Sequence, residues 1–473
     1  MMTRSLSAAL LFSLLTNFAV ADNATWKAGT AKANITPEQP LWMAGYGGRD
    51  KPAEGTYHDL WIRVVALEDA NGHQGIVLSS DTLGIPQSIY NNTCAALKEK
   101  FGLDRSQIML HSSHTHTGPV LRGALYDIYP LDDEQRQMIE AYSDDLEKKI
   151  VATIGEALAK LVPAKVSGGQ GIATFAVNRR NNVEGEVPKL RETDGLQGPI
   201  DHDVPVLSVR SMDNELMAVV FGYACHNTNL SFYQWSGDYA GFAQYALEDV
   251  HPNAVAMFYM GCGADQNPIP RRTVELAKGY GLRLAAAVER VLAEPMQEFT
   301  PSLQTEHEFV TLNLGKEPTR EELATMAGAG SSYVNRWAAR LLKDVEAGKP
   351  LEHTYPYPLQ AWKLGEKQKW ITMGGEVVVD YALGFKKSYG DDTWVASYCN
   401  DVMAYIPSLR VLDEDIPPRK SARWGYEGNR SMMVYGRAAH RWADDIEELV
   451  ADTVERLMER LKTKKQKPEP VSK

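Results

Sequence analysis

Short apolar segments with strand character alternate with long helical segments along this sequence. Predicted strands lie at 60–69, 74–81, 106–114, 217–226 and 254–262. Each ends in polar or small residues, which is typical of strands that reach the edge of a sheet. Helical periodicity is clearest over 132–161, 273–294 and 436–462. Strands that alternate with helices predict an α/β fold with a mixed β-sheet core covered by helices.

The first 21 residues have the character of a signal peptide. Arg4 precedes an apolar run, and the segment ends in Ala-Val-Ala, the small-x-small pattern that signal peptidases cleave. The run is short of the roughly 20 apolar residues that a membrane span needs. We therefore expect an exported protein, periplasmic or secreted, without an integral membrane span after cleavage.

Residues 22–462 are predicted to form one domain. The polar stretch 179–203 is rich in Gly and Pro and is predicted to be a long loop, because the strand-and-helix pattern resumes directly after it. Residues 314–366 are mostly helical by pattern and are predicted to be an insertion that shapes a cleft. The basic tail 463–473 is predicted to be disordered.

Charge and cysteine content limit the classes of partner and of scaffold. The chain has 50 Lys and Arg against 61 Asp and Glu, a net charge of -11. This balance argues against nucleic acid or anionic lipid as a principal partner. Four cysteines are too few for a disulfide scaffold, although an oxidising compartment permits one or two bridges. The oligomeric state is left open.

Residues 111–119, HSSHTHTGP, hold three histidines in six positions. If the strand continues through them, His114 and His116 project to the same side and His111 to the opposite side. Two imidazoles on one side suit metal chelation or paired catalysis, and functional residues concentrate at strand ends in α/β sheets. Histidines that are simply buried or exposed would give the same local pattern.

A second histidine and a glycine-rich turn end two other predicted strands. His226 closes the strand 217–226, and neutral imidazole is the commonest zinc ligand. The strand 254–262 leads into GCGADQNP, where Asp265 and Gln266 offer polar contacts. Because several strands end in such residues, we predict a shared site at the sheet rim.

Six segments occur in the order and character of one known family. They are 33–49, 112–119, 224–229, 236–248, 374–383 and 403–415. In these segments the chain resembles the catalytic domain of the neutral/alkaline, non-lysosomal ceramidases, over roughly residues 28 to 450. The resemblance implies that domain's fold and a catalytic zinc ion. By the same resemblance, the zinc ligands are His114, His226, Glu376 and Tyr405.

The resemblance also implies residues that act on the substrate. His116, the second histidine of the H-T-H motif, would orient or protonate reacting groups together with Arg179 and Tyr426. Arg180 is adjacent to Arg179 and is the alternative match. Asp265 is the acidic residue beside the site that would share the proton transfer with His116.

Two departures from the family bear on the substrate. The family's G-D-x-S-P-N loop carries a serine tied to catalysis, but this chain has Gln266 at that position. The family's C-terminal immunoglobulin-like domain is not expected here, because the sequence ends soon after the helix 436–462. Zinc-activated water needs no serine, so hydrolysis remains compatible with Gln266.

These observations predict an exported zinc-dependent hydrolase that cleaves an amide bond in a ceramide-like or other N-acyl substrate. One alternative is a zinc-dependent carbohydrate-active enzyme, since the aromatic stretches 231–239 and 352–362 would suit stacking on a sugar ring. Another is a non-catalytic, zinc-stabilised binding protein. The partner is therefore a small-molecule, lipid or glycan substrate.

Overall fold

A computed structural model describes residues 25–328, 330–414 and 425–463. The predicted signal peptide and residues 464–473 of the predicted tail lie outside the described residues. The strands, numbered in chain order over the described residues, are β1 (Trp26–Asn34), β2 (Gly55–Thr56), β3 (Trp61–Glu68), β4 (Gln74–Ser80), β5 (Ile108–Ser112), β6 (Val162–Ile172), β7 (Ala176–Asn178), β8 (Asp203–Ser211), β9 (Leu216–Tyr223), β10 (Gln234–Trp235), β11 (Val255–Met260), β12 (Gln266–Pro268), β13 (Gln297–Glu298), β14 (Leu303–Asn313), β15 (Thr354–Leu364), β16 (Gln368–Met373), β17 (Glu376–Val377), β18 (Trp394–Ala396) and β19 (Tyr405–Ile406).

Helices follow most of the long strands. Short 3-10 turns occur at Arg105–Gln107 and Glu184–Glu186, and one turn of π-helix at Tyr426–Arg430. The α-helices of the described residues are α1 (Gln87–Phe101), α2 (Asp133–Ala159), α3 (Val187–Glu192), α4 (Asp238–Val250), α5 (Val274–Ala293), α6 (Arg320–Gly328), α7 (Tyr333–Glu346), α8 (Val379–Tyr389), α9 (Leu409–Glu414), α10 (Ser431–Val434) and α11 (Ile446–Thr463).

The largest sheet is mixed, as the sequence predicts. Its strand order is β11-β9-β8-β6-β1-β3-β4-β5, with β13 added beside β6. The outer pairs β11–β9 and β4–β5 are parallel, and the inner pairs are antiparallel. Because the predicted strands 60–69, 74–81, 217–226 and 254–262 correspond to β3, β4, β9 and β11, the predicted α/β class is confirmed.

Strand alternation divides the core into two layers. On β3, Ile62 and Val64 face the helices α1, α2, α4 and α5, whereas Val65 and Leu67 face the other way. That other layer is closed by a second sheet, ordered β14-β15-β16-β18, which contributes Trp362 and other tryptophans. Helix α11 packs on the outer face of the second sheet. The molecule is therefore built as helices, sheet, sheet and helices.

The histidine-rich strand ends earlier than the sequence suggests. β5 stops at Ser112, and His114 has a left-handed backbone with φ of 56°. The chain leaves the sheet because the Ser113 N–H donates to the carbonyl of Ser80 at 2.8 Å. The premise that strand alternation places His114 and His116 on one side is therefore wrong. A turn brings them together instead.

The last long helix also begins later than its periodicity suggests. α11 starts at Ile446, not at residue 436. The preceding residues are held in an extended connection, since the Gly315 N–H donates to the carbonyl of Arg441 and the Trp442 indole donates to the carbonyl of Tyr405. These tertiary bonds override the local helical pattern.

Residues 314–366 comprise α6, α7 and then β15. Helix α6 borders a cavity whose opposite wall includes Asn429, Arg430 and His440. The stretch 179–203 is a loop that contains α3. All four cysteines are buried and free. Within the described ranges, no helix is both long enough and apolar enough to cross a membrane.

Candidate metal centre

Three imidazoles meet where parallel strands of the large sheet end. His114 follows β5 and His226 follows β9, so the two loops leave the same rim. Nε2 of His114 lies 3.2 Å from Nε2 of His226 and 3.1 Å from Nε2 of His116. Ligand atoms of the three side chains all lie within 4.8 Å of one another. This group is sterically able to hold a metal ion.

A carboxylate and a phenol complete the cluster. Oε2 of Glu376 is 3.2 Å from Nε2 of His114 and 3.1 Å from Nε2 of His226. The hydroxyl of Tyr405 lies 3.4 Å from the same nitrogen of His226. Zinc bonds of about 2.0 to 2.2 Å in a tetrahedron place ligand atoms roughly 3.3 Å apart. The four residues that the family resemblance implies as ligands therefore have the spacing of a zinc site.

Backbone carbonyls fix the orientation of two of these rings. Nδ1 of His114 donates to the carbonyl of Leu83 at 2.7 Å, and Nδ1 of His226 donates to the carbonyl of Gly263 at 2.8 Å. A proton held on Nδ1 leaves the lone pair of Nε2 free to face the cluster. The two rings are thus preset as ligands.

Burial and neighbouring charges set the protonation of the cluster. Burial lowers the pKa of His226 to about 3, and Arg179 acts in the same direction. Burial alone would raise the pKa of Glu376, but His114 and His226 hold it well below its ordinary value. A neutral imidazole and an ionised carboxylate are the forms that bind a cation.

His116 differs from the other two histidines in what holds it. Its Nδ1 has no hydrogen-bond partner among the described residues. The ring packs against Gly45, which has φ of 106°, and a Cβ at that position would lie 2.4 Å from Nδ1. Its carbonyl accepts from Nη2 of Arg49 at 2.8 Å. No carbonyl locks this ring as a ligand, so its Nε2 is free to carry a proton.

Arg179 and Tyr426 both lie against Tyr405. Nη2 of Arg179 donates to the Tyr405 hydroxyl at 3.1 Å, whereas Arg180 lies over the ring of Tyr426 at 5.7 Å. The rings of Tyr426 and Tyr405 are 5.3 Å apart. Both arginines also pair with the buried carboxylate of Glu427 on the π-helix. Of the two candidate arginines, Arg179 is the one that contacts the cluster.

Asp265 and Gln266 lie behind the cluster. The carboxylate of Asp265 accepts from the Asn178 amide at 3.1 Å and from the Val379 N–H at 3.0 Å. It therefore positions the segments that carry Arg179 and Glu376, and its direct catalytic role stays a prediction. The Gln266 amide donates to the carbonyl of Ala224 at 2.8 Å, so this side chain bonds to the backbone that leads to His226.

Three contacts were missed by sequence reasoning. The Tyr398 hydroxyl donates to Oε2 of Glu376 at 3.3 Å, and the Tyr435 hydroxyl donates to Oε1 of the same carboxylate. Glu427 holds the two arginines. These residues lie in ordinary mixed segments, and no local pattern separates them from core aromatics or from a solvated acid.

The layered fold and the buried histidine–glutamate cluster define a class of α/β proteins with a preset cation site. The model of the neutral/alkaline non-lysosomal ceramidases, N-terminal, matches residues 26–265, just over half of the chain. The chain belongs to this family, as its sequence segments indicate. The matched region includes His114, His116 and His226.

Relatives and solved structures agree with this assignment. Neutral ceramidase of Pseudomonas aeruginosa is 27% identical over 342 residues, which are 65% of this chain and 49% of that protein. The chain thus spans about half the length of this curated relative. A ceramidase complexed with C2 and the crystal structure of neutral ceramidase from Pseudomonas aeruginosa each match with a TM-score of 0.67 at 20% identity. They cover 94% and 95% of this chain and 77% of those chains, and this likeness establishes the fold.

Proposed function

We propose that this chain is an exported zinc-dependent hydrolase that cleaves an amide bond in a ceramide-like or other N-acyl substrate. The observation that carries the proposal is the convergence of Nε2 of His114, Nε2 of His226 and Oε2 of Glu376 within 3.2 Å of one another. Membership of the ceramidase family and the curated name of the Pseudomonas relative favour an amide as the scissile bond.

The donor set fits zinc better than a hard cation. Imidazole nitrogens suit zinc, whereas calcium and magnesium take oxygen ligands almost exclusively. His114, His226, Glu376 and Tyr405 would hold the ion. When bound, zinc supplies Lewis acidity that polarises an amide carbonyl and lowers the pKa of a water molecule.

The remaining residues of the site have separate tasks in amide hydrolysis. His116 holds a proton at Nε2 and transfers it to the amine that leaves. The guanidinium of Arg179 and the hydroxyl of Tyr426 donate to the amide oxygen as negative charge develops there. Tyr398 and Tyr435 orient Glu376 by donating to its two oxygens.

Export is part of the proposal and rests on the amino-terminal sequence, where Arg4 precedes an apolar run that ends in Ala-Val-Ala. The charge balance of the chain supports a small-molecule or lipid substrate over a nucleic acid. No observation favours the glycan alternative or a purely binding role.

A substrate screen tests the proposal. Purified zinc-loaded protein is assayed with fluorogenic N-acyl sphingosine, N-acyl amino acids and oligosaccharides. The His114→Ala variant is the control for contaminating hydrolases. We expect turnover of an N-acyl compound by the native protein and none by the variant. Turnover of a glycan alone, or of nothing, would reject the amide hydrolase.

A further inference from the structure

The cluster opens to solvent on one side, next to His116. This residue is 8% exposed, whereas His114 and His226 are 0% exposed and Glu376 is 2% exposed. The residues around His116 therefore border the route by which a substrate reaches the cluster.

Tyr46 lies over His116 at this opening, with the two ring centres 4.7 Å apart. Its hydroxyl donates to the carbonyl of Thr228 at 3.1 Å. Two guanidinium groups lie near the Tyr46 ring, Arg49 at 5.4 Å and Arg272 at 5.2 Å. The opening is thus bordered by one aromatic ring and two cations.

The two cations differ in how their donors are used. Arg49 is buried, and its Nη atoms donate to the carbonyls of His116 and Phe232. Arg272 is exposed, and its guanidinium has no carboxylate partner within the residues that the structure describes. Its five N–H donors are available to a ligand.

The backbone of Arg272 supports a functional role. Its φ is 97°, in the left-handed region that non-glycine residues adopt only at a cost of about 1 to 3 kcal/mol. Its N–H donates to the carbonyl of Asn229, which keeps the chain in this conformation beside the loop after His226. Such strain is typical of residues that must present a side chain at a site.

Neighbouring cations strengthen the positive field at the opening. Arg271 donates to the Thr228 hydroxyl at 3.4 Å and is paired with Glu184 through two bonds of 2.9 Å. The nearby carboxylate of Asp238 accepts from the backbone N–H groups of Leu230 and Tyr239. The acids in this region are therefore already bonded, and Arg272 is the free charge.

We propose that Arg272 binds a carboxylate on the amine half of the substrate, so that the hydrolysed compound is an N-acyl amino acid and not a neutral ceramide. A planar guanidinium with free donors matches a carboxylate in bidentate geometry. The amine leaves beside His116, and Arg272 is one aromatic ring away from that histidine. The inference rests on the proposed amide hydrolysis.

The test compares two substrates that differ only in charge. N-lauroylglycine and N-lauroylglycinamide share the acyl chain and the scissile amide, and N-acyl sphingosine is the neutral lipid reference. The zinc-loaded full chain is assayed beside Arg272→Gln and Arg272→Lys. Arg283→Gln is the matched control, because Arg283 is also exposed and stacked on a tyrosine, Tyr280, at 5.8 Å.

We expect kcat/KM for the acid to exceed that for the amide by about 10- to 100-fold, the range of a charge-assisted hydrogen bond. Arg272→Gln should remove this preference through KM and leave the amide unaffected. Arg272→Lys should restore part of the preference, and Arg283→Gln should change nothing.

Three outcomes would overturn the inference. Equal turnover of acid and amide, an equal loss on both in Arg272→Gln, or a preference for N-acyl sphingosine would each reject carboxylate recognition while leaving amide hydrolysis in place. Absence of turnover on all three compounds would reject the proposed function, and the inference with it.

Discussion

Glu376 and Tyr405 lie opposite each other in the two-residue parallel ladder β17–β19, and both side chains reach Nε2 of His226. The ladder fixes their separation, because paired residues of parallel strands are held by the same hydrogen bonds. A carboxylate and a phenol from distant parts of the chain are thereby presented together to the histidines. Each prediction below follows from a contact of this cluster or of its support.

Replacing Glu376 by Gln removes the charge of the cluster while keeping its size. The amide would still contact His114 and His226, but it would no longer balance a divalent cation. We expect zinc affinity to fall by at least roughly 100-fold, since even indirect supports of metal sites are worth 10- to 100-fold. Zinc titration with a competing chelator measures this, and unchanged affinity would exclude Glu376 as a ligand.

The adjacent arginines provide a matched pair. Arg179 donates to Tyr405, whereas Arg180 pairs with Glu427 alone among its side-chain ion pairs in the described residues. Loss of a donor to a developing oxyanion costs about 100- to 1000-fold in kcat. We expect this loss for Arg179→Gln and less than about 10-fold for Arg180→Gln, with equal zinc content. A larger effect at Arg180 would reverse the assignment.

Gln266 is expected to support the fold and not to take part in catalysis. Its amide donates to the carbonyl of Ala224, and its Oε1 accepts from the Asp201 N–H at 3.1 Å. A serine, the family residue, is too short to make both bonds. Each buried group left unpaired costs about 1 to 3 kcal/mol. Urea unfolding of Gln266→Ser should show this loss, and a gain in kcat without destabilisation would contradict it.

His111 is expected to make the fold sensitive to acid. Burial lowers its pKa from 6.5 to about 3, and its ring stacks on Trp370. Between these values the unfolded chain binds a proton that the folded chain does not, so stability falls as the pH falls from 6.5 towards 3. The loss from this group reaches about 3 kcal/mol at pH 4.

Replacing His111 by Phe should therefore reduce the acid-induced loss of stability. Urea unfolding at pH 8 and pH 4 measures the difference between the native protein and the variant. At pH 8 the imidazole is neutral in both states, so that measurement isolates the packing effect of the substitution. An identical loss between pH 8 and pH 4 in both proteins would contradict the prediction.

The sequence predicted the sheet and the histidines but not how they meet. Periodicity located β3, β4, β9 and β11 because their side chains alternate between two buried layers. It placed His114 on a strand, whereas a left-handed residue turns the chain there. Bonds from the chain end to distant backbone, such as that from Trp442 to Tyr405, also lie outside any local pattern.

Long-range pairing explains which site residues were accessible to sequence reasoning. Glu376 and Tyr405 could be named only through the family resemblance, since the β17–β19 ladder has no signature of its own. Tyr398 and Tyr435 contact Glu376 from two further segments and were not found. Ligand types are visible in the sequence, whereas the residues that orient them depend on tertiary contacts.

The most direct test of the account is the zinc content of His226→Ala beside that of His251→Ala. His226 lies in the cluster, whereas His251 pairs with Glu289 between two helices at the surface. The purified proteins are dialysed against trace zinc and measured by inductively coupled plasma mass spectrometry. The account predicts near-stoichiometric zinc in the native protein and in His251→Ala, and loss of zinc together with amidase activity in His226→Ala. Full zinc occupancy in His226→Ala would contradict it.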